Sequence, residues 1–148
     1  MGCRVRLQAR ARAALKVFVD TSVWSLALRR DRPPAIPEVL FLGRALEAGE
    51  ELFTTGLVLQ ELLQGFRGAR ARSRILDAFA TLPLLVPDRA VHVAAADLRS
   101  ACRRRGIQVE TIDALYAQLC LQHDLTILTT DDDFRHIAKV RPLVIWRS

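Results

Sequence analysis

Apolar residues in this chain come in short bursts, each followed by a longer stretch in which they recur every third or fourth position. The bursts Lys16–Asp20, Glu51–Thr54, Leu84–Val86, Leu125–Thr129 and Leu143–Trp146 are predicted strands. Between them the spacing predicts helices over Ser22–Leu28, Glu38–Ala48, Leu57–Leu63, Ala71–Ala80, Arg89–Arg104 and Ile112–His123. Pro33, Pro34 and Pro37 mark a loop after the first helix, and Gly65 and Gly68 end the helix that starts near Leu57. Short apolar strands separated by helices imply βαβ units, hence a mainly parallel sheet covered on both faces. Ligands of such sheets bind outside the carboxyl ends of the strands, where the strand order reverses.

Several acids stand at those ends. Asp20 closes the first strand and is followed by the hydroxyls Thr21 and Ser22. Alone it is explained equally well as the N-cap of the next helix. The stretch LTILTTDDDF (125–134) ends a strand in Asp131, Asp132 and Asp133. Capping needs one acid, and three so close repel one another unless a cation or an arginine offsets them. Asp113 falls in the first turn of the amphipathic helix in ETIDALYAQLC (110–120), where the helix dipole alone favours an acid. Glu61 interrupts an apolar helix and lies either on its solvent face or turned inward. Taken together, the four acids fit a site for magnesium or manganese, which prefer hard oxygen ligands. Such ions can stabilise the attacking and leaving oxygens of a phosphodiester.

Composition narrows the partners. The 148 residues fit one domain, and 22 Lys+Arg against 16 Asp+Glu leave a net charge of +6, which favours a polyanion such as nucleic acid. No apolar stretch approaches the roughly 20 residues of a membrane span. Cys3, Cys102 and Cys120 are odd in number and far apart, so neither a disulfide framework nor a zinc site is expected, and a reducing cytoplasm is the simplest compartment. His92, His123 and His136 show no metal-ligand spacing and are expected at or near the surface. Residues 1–15 are Arg-rich and acid-free, and are expected to be a disordered or weakly helical extension, or a start assigned too far upstream. The domain proper is expected over 16–148.

In order, VFVDTSVW, TTGLVLQELLQG, ETIDALYAQLC and LTILTTDDDF resemble the four acidic motifs of PIN-domain proteins, most nearly the VapC-type toxins of bacterial toxin–antitoxin pairs. The likeness runs from Lys16 to about Trp146. It implies a PIN-like three-layer α/β/α fold with a parallel five-stranded sheet, and a magnesium- or manganese-dependent endoribonuclease. It also implies a homodimer and a small DNA-binding antitoxin. Matched residue by residue, Asp20, Glu61, Asp113 and Asp131 are the catalytic acids, with Asp20, Asp113 and Asp131 on the metal. Ser22 and Thr129 take the family's hydroxyl positions, and Asp133 supports the site. Thr130 and Asp132 depart from the pattern, standing where many relatives carry a basic residue.

The expected reaction is cleavage of RNA phosphodiester bonds by a metal-activated water. Other enzymes of similar fold fit less well. The chain lacks the Asp-x-Asp of haloacid-dehalogenase phosphatases after strand one, a phosphate-binding Gly-x-x-x-x-Gly-Lys-Ser/Thr loop, and the acid pattern of a response-regulator receiver. The alternative from another class is a non-catalytic RNA-binding or assembly module of the same fold. RGARARSR (67–74) and RRR (103–105) could grip RNA phosphates through Arg67, Arg70 and Arg103, or could equally be solvated helix faces or part of the antitoxin surface. The apolar helices around Leu57–Leu63 and Leu26–Leu28 are too rich for a solvated face, which supports the homodimer.

Overall fold

The computed structural model of the chain describes residues 15–29 and 31–148. The expected N-terminal extension falls outside these residues apart from Leu15, and so does Cys3.

Within the described residues the strands are β1 (Val17–Val19), β2 (Leu52–Thr55), β3 (Leu84–Leu85), β4 (Thr126–Leu128) and β5 (Val144–Ile145). The helices are α1 (Thr21–Ala27), α2 (Pro37–Ala48), α3 (Gly56–Gly65), α4 (Ala69–Phe79), α5 (Arg89–Arg104), α6 (Thr111–Gln122) and α7 (Asp133–Ile137). Most elements start or stop within two residues of their predicted bounds, the ordinary uncertainty of frayed ends. Helix α7, too short to carry a periodic pattern, was not among the predicted helices.

All pairings are parallel and the strand order is β3-β2-β1-β4-β5. The chain therefore steps one way through β1, β2 and β3, then crosses to the other side of β1 for β4 and β5. Right-handed crossovers put connections of opposite sense on opposite faces of the sheet. In agreement, α1 packs on α2 and α3, and α3 on α4, while α6 packs on α5 and α7. Every residue of β1 is buried, as the central strand of a doubly covered sheet must be.

Specific residues end these elements. Pro37 opens α2, where its missing N–H costs nothing. Gly49 closes α2 in the left-handed region, at φ 66°. Asp88 caps α5 by accepting the Val91 N–H at 2.9 Å. Trp24 on α1 meets Phe79 on α4 with ring centroids 4.8 Å apart, an aromatic contact typically worth about 0.5–1.5 kcal/mol beyond its buried area.

Helix α6 departs from the amphipathic expectation. Ala114, Leu115, Tyr116, Ala117, Leu119 and Cys120 are all buried, because the sheet, α5 and α7 surround it. The apolar residues of α1 and α3 also have a partner. Leu26, Leu28, Leu57, Leu59 and Leu63 are half-buried and packed against the core, so their apolarity does not by itself call for a second subunit. No helix among the described residues is long and apolar enough to cross a membrane.

Candidate active site

The strand order reverses between β1 and β4, and the register there sets what meets at the crevice. Val17, Phe18 and Val19 lie opposite Thr126, Ile127 and Leu128, and the Asp20 N–H continues the ladder to the Leu128 carbonyl at 2.9 Å. Asp20 is thereby brought beside Thr129. Asp20 does hold the N-cap position of α1, but its side chain makes no capping bond. Its Oδ2 instead accepts the hydroxyls of Ser22 and Thr129, each at 2.8 Å.

The hydrogen bonds continue in one direction. Thr129 Oγ1 accepts the Asp131 N–H at 3.0 Å, and Asp131 Oδ1 accepts the Asp133 N–H at 2.9 Å. Ser22 Oγ accepts the Thr130 N–H at 3.1 Å and so clips the start of α1 to the end of β4. Each hydroxyl donates to Asp20 and accepts from the 129–131 backbone, an arrangement that calls for the carboxylate form of Asp20. Burial pushes the Asp20 carboxyl up from its ordinary value, and the two hydroxyls oppose that push.

Asp113 enters from the first turn of α6. One carboxylate oxygen from each of Asp113, Asp131 and Asp133 lies within 4.8 Å of the others, and all three side chains are half-buried. Burial, and then the charges of Asp20, Asp131, Asp133 and Glu61, push the Asp113 carboxyl up to about 7. Asp20 and Glu61 therefore belong to the same electrostatic site without joining that three-oxygen cluster. The donors are all hard oxygens, with no thiolate or imidazole among them. They suit magnesium or manganese and disfavour a structural zinc site. A cation there would also relieve the repulsion that Asp113 feels.

Glu61 turns inward. Its Oε1 accepts the Thr21 hydroxyl at 2.9 Å and also the Tyr116 hydroxyl. Tyr116 lies one turn beyond Asp113 on α6, packs on Phe18 with centroids 5.4 Å apart, and ties α6 to α3. Burial, and then Glu61, push its phenol up, so it stays a donor. Neither Tyr116 nor Thr21 was expected in this role. The signal available was the chain's single tyrosine on an apolar helix, since a buried tyrosine hydroxyl usually has a partner. Tyr116→Phe should leave the fold intact and loosen Glu61, lowering activity about 10-fold, as outer-shell losses commonly do. Activity equal to wild type, with equal metal affinity, would show that Thr21 alone holds Glu61.

Asp132 is exposed and lies 3.6 Å from Arg135, one turn on. Arg135 so compensates locally for the acid that departs from the family pattern. Asp131 and Asp133 share a side because the Asp131 carboxylate closes a tight turn onto the Asp133 N–H, with Asp132 in helical conformation at φ −65° and ψ −17°. This turn, rather than continued strand pleating, turns Asp132 outward. Of the arginines, Arg67 and Arg70 line one cavity at the start of α4, while Arg103 lies in the last turn of α5, beside Arg99 in a separate one.

The PIN domain family model matches residues 17–140. Ribonuclease VapC23 of Mycobacterium tuberculosis is 32% identical over 118 residues, which cover 78% of this chain and 92% of the relative. FitAcB from Neisseria gonorrhoeae superposes with a TM-score of 0.66 at 23% identity, covering 88% of this chain and 96% of that one. The VapBC2 structure from Rickettsia felis, bound to a DNA fragment from their promoter, gives 0.70 at 16% identity, covering 89% and 98%. At such identities these two structures speak for the fold alone.

Proposed function

The chain belongs to the PIN-domain family, in its VapC-type branch, and from that premise we propose that it is a metal-dependent endoribonuclease acting as the toxin of a toxin–antitoxin pair. The observation that carries this proposal is the convergence of Asp113, Asp131 and Asp133 within 4.8 Å of one another where the strand order reverses. The name of the M. tuberculosis relative supports RNA as the substrate. By analogy with the VapBC2 structure, which is bound to a DNA fragment from its promoter, the proposal includes a cognate DNA-binding partner. A homodimer and a cytoplasmic location belong to the same proposal, with residues 16–148 as the nuclease domain.

Asp113, Asp131 and Asp133 would hold magnesium or manganese, with the Asp20 carboxylate adjoining. When bound, the ion supplies the positive charge that activates water and stabilises the phosphodiester as it breaks. The chain's own residues do the rest. Ser22 and Thr129 keep Asp20 charged and fixed, Thr21 and Tyr116 aim Glu61, and the 129–133 turn orients Asp131 and Asp133 together. The fixed carboxylates can orient water and accept its proton. The direct test is incubation of the purified protein with total RNA and mapping of the cleaved ends. Cleavage at defined positions with magnesium, abolished by chelation, is expected. Binding without cleavage under every divalent metal would favour the non-catalytic module instead.

Asp113 gives the reaction a pH dependence. A cation needs its carboxylate, and without metal that group holds its proton up to about pH 7. Magnesium affinity should therefore rise as pH climbs from about 6 to about 8, by at most about 10-fold per unit below pH 7. Stability of the metal-free protein should run the other way. The folded group is raised from 3.8 to about 7, so the folded state binds more protons than the unfolded chain between those values. That contribution is complete at low pH and is lost as pH rises through about 7. Calorimetric titration of magnesium across this range checks the first part, and melting in chelator checks the second. A flat magnesium affinity would remove Asp113 from the ligand set.

A further inference from the structure

Helix α1 starts at the acidic site and α3 meets it at Glu61, and both end at a second feature of opposite charge. Leu28, Arg29, Asp31 and Arg32 after α1, with residues 66–71 and Arg74 around the start of α4, line a cavity of about 650 Å³. Five arginines line it, Arg29, Arg32, Arg67, Arg70 and Arg74, against a single acid, Asp31. Among the described residues none of these arginines has a carboxylate within 4.0 Å. Arg74 makes one long bond, 3.4 Å, to the Arg29 carbonyl, which leaves its charge uncompensated. Like charges gathered without partners repel, and an anion removes that cost. The cavity also has an apolar part, with half-buried Leu28 and Phe66 among its lining residues. The combination of cationic groups and an aromatic ring suits single-stranded nucleic acid, whose phosphates take arginines and whose bases stack on rings. A folded acidic protein would match the charge but has less use for the ring.

The distance fits the same occupant. Glu61 is five residues before Phe66 and Thr21 seven before Leu28, which at helical rise is roughly 8–11 Å. That separation equals about two to three phosphates of a stacked strand.

We infer that this arginine-lined cavity is a subsite for the single-stranded RNA flanking the bond that is cut. The inference rests on the nuclease proposal and adds to it a second place where the substrate is held. Its test is fluorescence anisotropy with a labelled oligouridine of about a dozen nucleotides, in magnesium, with Asp131→Asn as the background that blocks cleavage. On that background the combination Arg32→Ala, Arg67→Ala and Arg70→Ala is compared with the unsubstituted arginines. Each phosphate contact contributes about 0.7 to the slope of log affinity against log salt for single strands. The triple variant should lose about 2 from that slope and bind at least about 10-fold more weakly at low salt. The three corresponding lysine substitutions, which keep the charge, should restore most of the slope. An unchanged slope in the alanine variant would overturn the subsite. So would a loss confined to duplex DNA of the same length, which would assign the cavity to another partner. Cleavage of total RNA by wild type is scored separately, so failure of the nuclease proposal is distinguishable from failure of the subsite.

Discussion

Asp131→Asn is expected to cut RNA at least about a hundredfold more slowly than wild type, with the fold intact. Loss of an outer-shell partner of a metal commonly costs about 10–100-fold, and Asp131 has a larger part than that. One of its carboxylate oxygens belongs to the three-acid cluster, while its Oδ1 takes the Asp133 N–H and so shapes the turn that presents Asp133. The amide of Asn keeps an oxygen for that N–H but removes the charge that holds the ion. Asp133→Asn should be impaired as well, because Asp133 is in the same cluster. Asp132→Asn should keep or gain activity. Its carboxylate is exposed, paired with Arg135, and turned away from the other two. Removing it frees Arg135 and makes the approach less repulsive to a phosphate. Single-turnover cleavage of one RNA by the three variants checks the ordering. Equal losses at all three positions would mean that the turn does not separate them in solution.

Asp20→Asn is the second large effect, and it separates activity from stability. Asp20 is only 4% exposed, and burial raises its pKa, so at neutral pH its charge is carried at a cost that two hydroxyl donors only partly offset. An amide fills the same space, and the Ser22 and Thr129 hydroxyls can rotate to suit it. Activity should fall at least about a hundredfold, since the charge that helps hold the cation and repels Asp113 is gone. Melting in chelator should be unchanged or raised by up to about 4 °C, the shift that about 1 kcal/mol produces in a domain of this size. In magnesium the order should reverse, because wild type gains stability from the bound ion and the variant gains less. A variant that melts well below wild type in chelator would assign Asp20 a structural role, as would one that cuts RNA at the wild-type rate.

The two sets of substitutions also mark how far the sequence could be read. The alternation of short apolar runs with helical spacing specified a parallel sheet covered on both faces, because a strand buried on both sides must be apolar throughout. The placing of Asp20 and Asp131 at strand ends followed from the same pattern. Local spacing could not supply the partners. Glu61 on α3 is 55 residues from Tyr116 and 40 from Thr21, and the bonds among them exist only because α1, α3 and α6 converge at the carboxyl ends of the central strands. Asp132 is set apart by the Asp131 turn and the Arg135 pair, neither of which the run of three acids shows by itself. Arg67 and Arg70 read as a charged run, and only the folded chain joins them to Arg29, Arg32 and Arg74 around one cavity while leaving Arg103 elsewhere. By itself the sequence determined which residues are buried in strands and which acids follow them, since both depend on neighbours along the chain. The tertiary structure alone decided which carboxylates share a cation site, which hydroxyls hold them, and how far Asp113 is raised, since these depend on distances and burial set by packing between remote segments.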